Sequence, residues 1–104
     1  MKNTAQEIRK LIAEVVEQLT SMSSDEVSQK ETPSSWSKKE ILGHLIDSAA
    51  NNHQRFVRAC YNDAANFPPY SQTDWVQIQE YNKSEWGALV ELWIAYNHHL
   101  SNVI

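Results

Sequence analysis

His44, Asp47 and Ser48 stand close together in the chain, and His53, His98 and His99 follow at wider spacing. An imidazole can bind a borderline divalent ion or exchange a proton near neutral pH. A carboxylate three residues further along a helix can orient that imidazole or join it on the ion. On a helix, His44, Ser48, Asn51 and Arg55 follow at i, i+4, i+7 and i+11 and make one continuous polar stripe, with Asp47 on the adjoining strip. His44 is the candidate metal ligand, and a capping, packing or surface histidine is the competing reading. Arg55 shares the stripe and could orient an anion, against simple solvation of a helix.

The other histidines carry weaker signals. His53 lies near an apolar sector, where a satisfied, half-buried histidine is the ordinary outcome. His98 and His99 are adjacent and point about 100° apart on a helix, so one site cannot easily use both. Solvation near a helix C-terminus, with a favourable dipole interaction when protonated, is their competing role. Ser48 sits one turn from His44, but the strand–Ser–helix elbow of a serine hydrolase is missing. The chain has no H-E-x-x-H pattern, no clustered cysteines and no Gly-rich phosphate loop.

These side chains must be placed by helices. Thr4 and Glu7 have capping-box spacing, and Ile8, Leu11, Ile12, Val15, Val16 and Leu19 recur on one face, which predicts a helix from Thr4 to about Leu19. Residues 20–35 are polar and serine-rich, with Pro33 near the end. They read as a connection carrying one helical turn near Asp25 to Gln29. Ser37 and Glu40 repeat the capping-box spacing at the head of a second helix, with Trp36 placed to staple against Ile41. Its apolar sector is Ile41, Leu42, Leu45, Ile46, Ala49, Phe56 and Cys60. Residues 62–71, with Pro68 and Pro69, break that helix. Asp74 and Gln77 could cap a short helix to Tyr81 that turns Trp75 and Ile78 inward. Ser84 then opens a last helix with the stripe Leu89, Leu92, Trp93, Tyr96, Leu100 and Val103. That stripe reaches Ile104 without a Gly or Pro stop and reads as an interrupted pattern.

Composition bounds the rest. The 104 residues suit one small all-α domain, 1–104, and two glycines argue against a turn-rich β architecture. Thirteen acidic residues outnumber nine scattered basic ones, giving a net charge of -4, so no nucleic-acid partner is expected. Cys60, the only cysteine, cannot form an internal disulfide and reads as a small core residue, which suits a reducing compartment. No apolar run predicts a membrane span and no export signal is visible, so the cytoplasm is the expected location.

The segments Trp36-Ser37-Lys38-Lys39-Glu40, Gly43-His44-Leu45-Ile46-Asp47-Ser48 and Arg55-Phe56 resemble the second helix of the DinB/YfiT-like family. Phe67-Pro68-Pro69-Tyr70, Asp74-Trp75, Gln79-x-Tyr81 and Trp86 through His99-Leu100 look like a subgroup of the same family, so the resemblance covers roughly Ile8 to Ile104. It implies a four-helix bundle with a divalent metal such as zinc or nickel, held by His44 and by two histidines of a fourth helix. Nothing in this sequence matches that fourth helix, and Ala49 stands where some relatives have a further histidine. The expected fold is therefore a DinB-like helical bundle lacking the usual C-terminal helix and completed by oligomerisation, most simply as a homodimer.

Three functions compete. The first is a self-associating bundle domain without catalysis. The second is a metal-dependent hydrolase or thiol-dependent transferase acting on an unknown small molecule. Its site would be assembled across subunits around His44, with Asp47, His53 or His99 as helpers. The third is a module that receives a partner helix in an apolar groove.

Overall fold

The computed structural model describes residues 2–61 and 69–103. Phe67 and Pro68, like the rest of 62–68 and Ile104, lie outside the described residues. Helices α1 (Lys2–Thr20), α2 (Ser24–Ser28), α3 (Lys38–Tyr61), α4 (Gln72–Gln79) and α5 (Trp86–Val103) follow in order, with a 3₁₀ turn (Tyr81–Lys83) before α5. The described residues contain no strand, so the architecture is all-α. No helix among them is long and apolar enough to cross a membrane.

Helix α5 is the centre of the layout. It packs against α1 on one side and α3 on the other, while α1 and α3 make no comparable contact with each other. Arg9 Nε donates to Ser101 Oγ at 3.0 Å, and Trp86 Nε1 donates to the Leu19 carbonyl at 2.6 Å. The start of α1 therefore meets the end of α5, and the two helices run antiparallel. Trp86 beside Leu42 and Tyr96 opposite His53 make α3 and α5 parallel. The radius of gyration is 15.0 Å, above the roughly 13 Å of a compact domain of this length. The three long helices thus form an open slab, with α2 and α4 laid against α3.

The Ser37–Glu40 capping box forms as expected. Glu40 N donates to Ser37 Oγ at 3.2 Å, and Ser37 N donates back to Glu40 Oε1 at 3.0 Å. Ser37 is buried, and its hydroxyl also donates to Asn82 Oδ1 at 2.5 Å. Asn82 in turn donates to the Ser28 carbonyl at 3.3 Å, which ties α2, the head of α3 and the 3₁₀ turn together. The expected turn in the 20–35 connection is α2, capped by Ser23 and anchored by the fully buried Val27.

Several expectations are corrected. Thr4 and Glu7 lie inside α1 and do not cap it. Trp36 lies against His44 and shares the wall of one concavity with its expected staple partner Ile41, which stays 46% exposed. Cys60 is exposed, so it is no core residue. Ser71 caps α4, accepting from Asp74 N at 3.3 Å. That phase buries Val76 and leaves Ile78 78% exposed. In α5 the core positions are Trp86, Leu89 and Val90, while Leu92 is exposed.

The close approach of the 3₁₀ turn to α3 requires Gly43. A Cβ at that position would collide with the ring of Tyr81, whose side chain is itself buried. Overpacking of a well-fitted core costs about 1–3 kcal/mol. Gly43→Ala is expected to lower unfolding stability by about 2 kcal/mol or more, read as a fall in the urea midpoint. An unchanged midpoint would show that the ring moves aside freely.

Candidate functional site

Helix α3 carries most of the candidate groups, and its surroundings separate them. His44 is half-buried, with its ring centroid 5.3 Å from that of Trp36 and the planes tilted by 42°. Its Nδ1 is buried without a hydrogen-bond partner. Asp47 is 2% exposed. Its Oδ1 accepts from Tyr81 Oη at 2.5 Å and from Gln79 Nε2 at 2.9 Å, while Oδ2 is buried without a partner. Tyr81 Oη also lies 2.9 Å from Gln79 Oε1, and the shorter contact to the carboxylate falls in the range of strong hydroxyl–carboxylate bonds.

The remaining members of the expected polar stripe are dispersed. Ser48 Oγ lies 3.0 Å from Tyr70 Oη, so its partner is a tyrosine and not His44. Asn51 is buried and donates Nδ2 to the Asp47 carbonyl at 2.9 Å. Arg55 is exposed near the far end of the helix. A continuous reactive stripe is therefore not formed: Asn51 serves the backbone, Ser48 serves Tyr70, and Asp47 faces the 3₁₀ turn.

His53 and His99 do meet. The His53 ring lies 5.3 Å from the exposed His99 ring, nearly edge-on at 81°. His53 Nδ1 is 2.8 Å from Tyr96 Oη. His98 is exposed. Burial raises the Tyr96 phenol above its ordinary value.

Two concavities flank these groups. One, of about 480 Å³, is lined by Ser35, Trp36, Val76, Gln77 and Asn82 among others. Two lysines on its wall are matched by carboxylates, with Lys30 3.4 Å from Glu40 and Lys83 2.9 Å from Glu80, so it offers no concentrated charge. The other, of about 210 Å³, is an apolar groove formed by Leu19, Met22, Ile41, Leu42, Leu45 and Trp86, with Lys38 at its rim.

No protein-family model matches the chain, and comparison with curated proteins and with solved structures gives no match either. The site must be judged on its own donors. A catalytic zinc site ordinarily takes three protein ligands and an exchangeable position. Among the described residues, no three His, Cys, Asp or Glu side chains gather at one point. The orphaned His44 Nδ1 and Asp47 Oδ2 are suitable donor atoms. They do not make a complete set, so the described residues alone do not fit a catalytic metal site.

Sequence reasoning missed Tyr81 and Gln79 as partners of Asp47, although the pair Gln79-x-Tyr81 was visible as a landmark. A glycine one turn before a carboxylate was the usable signal, since it marks a close approach beside a polar group. Burial first, then the bond to Asp47 and its charge, raises the Tyr81 phenol well above its ordinary value. The folded state therefore keeps this proton at a pH where the unfolded chain loses it. The contribution is fully present below about pH 10, the unfolded value, and is lost as pH rises beyond it. Tyr81→Phe is expected to cost about 1–3 kcal/mol at neutral pH and to flatten the loss of stability above pH 10. Urea midpoints at neutral and alkaline pH check both effects, and a parallel pH slope in the variant would exclude the alkaline one.

Proposed function

We propose that this chain is a DinB-like helical domain whose main property is self-association. A second copy covers the apolar groove between α1 and α3. The observation that carries this reading is the groove itself, built from Leu19, Met22, Ile41, Leu42, Leu45 and Trp86. Ile41 is 46% and Leu45 45% exposed. Full burial of such a side chain is worth about 1.5–3 kcal/mol, so covering a half-exposed one contributes on the order of 1 kcal/mol. A two-fold interface applies each gain twice, because the same patch is used by both copies.

A second reading gives His44 a metal completed by groups from another subunit. It is supported by the buried, unpartnered His44 Nδ1 and Asp47 Oδ2, since such atoms call for an explanation. It ranks lower because His44 and Leu45 project about 100° apart on α3. Contact at Leu45 does not by itself aim a partner's donors at His44.

Leu45→Glu tests the leading reading. Wild-type protein should sediment as a dimer at micromolar concentration, and the variant as a monomer with unchanged helical content. Leu45 is already half exposed, so the substitution adds charge at the groove without emptying the core. A wild-type monomer at hundreds of micromolar, or a dimer indifferent to Leu45→Glu, would overturn the assignment of this groove. Loss of stoichiometric metal in His44→Ala, with the dimer intact, would favour the second reading.

A further inference from the structure

We propose that His53 and His99, oriented by Tyr96, form a two-histidine site for a borderline divalent cation of the zinc, nickel or copper type, separate from His44. The pair spans two helices, His53 on α3 and His99 on α5. With a metal–nitrogen bond of about 2.0 Å, an imidazole centroid sits about 3.2 Å from its ion, and two rings at a tetrahedral angle have centroids about 5 Å apart. The His53 and His99 centroids are 5.3 Å apart. The separation needed to share one ion is therefore present between these two rings.

Orientation is supplied as well. His53 Nδ1 lies 2.8 Å from Tyr96 Oη. In the tautomer whose Nδ1–H donates to that oxygen, Nε2 keeps its lone pair for a cation. Metal-binding histidines ordinarily have their second nitrogen held in this way, and loss of the holding group weakens binding about 10–100-fold. His99 is exposed, so rotation of its ring can turn a nitrogen toward the ion without disturbing the core. With no third His, Cys, Asp or Glu gathered at the point among the described residues, water fills the remaining positions. Imidazole donors with water select zinc, nickel and copper over magnesium or calcium. Nine residues of helix put His53 about 13 Å along α3 from His44, so one ion cannot serve both.

Untagged, metal-stripped protein titrated with Zn²⁺ and with Ni²⁺ by calorimetry tests the proposal. One ion per chain is expected. His53→Gln and His99→Gln should each weaken binding at least about tenfold, and Tyr96→Phe about tenfold. His44→Gln should leave it unchanged. His99 is exposed, so its variant reports on binding without a folding change, checked by circular dichroism. Long-range ¹H–¹⁵N spectra of the wild type should show the ring nitrogens of His53 and His99 shifting together on titration. No binding at millimolar cation would overturn the site. So would affinity indifferent to His53→Gln and His99→Gln, or shifts confined to His44.

Discussion

The Tyr81 ring packs against α3 where Gly43 has no side chain, and its hydroxyl reaches Asp47 one turn further on. The two contacts need each other. Without the glycine the ring cannot approach, and without the ring the Asp47 carboxylate is buried with only Gln79 to satisfy it. The chain reaches this position through Glu80, which ends α4 in the left-handed region at φ 51° and ψ 51°. A non-glycine residue is disfavoured there by about 1–2 kcal/mol, so the packing of Tyr81 must hold the turn in place. Helix α5 begins five residues after that anchor. Its direction then brings Trp86 to the last carbonyls of α1 and Ser101 to Arg9. The arrangement of all three long helices follows from one ring seated on one glycine.

The sequence disclosed the helices better than it disclosed their faces. The Ser37–Glu40 box is a local interaction between residues three apart, so its spacing predicts it directly. The turn inside the 20–35 connection was legible for the same reason. Ile41 and Leu45 belong to the same helical face as Leu42 and Ile46, but only the latter pair is buried. Periodicity defines an apolar sector and is silent about how much of it a neighbour covers. Val76 and Ile78 make the same point in α4, where moving the cap from Asp74 to Ser71 accompanies a change in which residue turns inward. The burial of Asp47 was illegible because it depends on residues 32 and 34 positions away.

The candidate histidines differ in what surrounds them. His44 has a nitrogen sealed from solvent with no partner, set against an indole that offers no acceptor. An unmatched buried group of this kind costs about 1–3 kcal/mol. His53 has the opposite situation, with one nitrogen held by Tyr96 and a second imidazole beside it. Sequence favoured His44 because a polar stripe surrounds it along the helix. Space divides that stripe, since Ser48 turns to Tyr70 and Asn51 to the backbone. The pairing of His53 with His99 crosses 46 residues of chain and was beyond any spacing rule.

The open slab also links stability to association. A domain of about 100 residues buries a modest share of its surface and has little stability to spare. Here part of the apolar complement, Leu11, Ile41 and Leu45, stays exposed, while the innermost side chains include small ones such as Val27, Val76 and Val90. The core therefore works with less than the sequence supplies. Polar stitches compensate at the edges, with Asn82 joining three segments and Arg9 clamping the end of α5. None of these closes the face between α1 and α3, because both helices lean on α5 and not on each other. A partner that binds this face binds only the folded chain, so it adds its binding free energy to the folding equilibrium. Ile41 and Leu45, half exposed in the isolated chain, are the apolar surface that such a partner would cover.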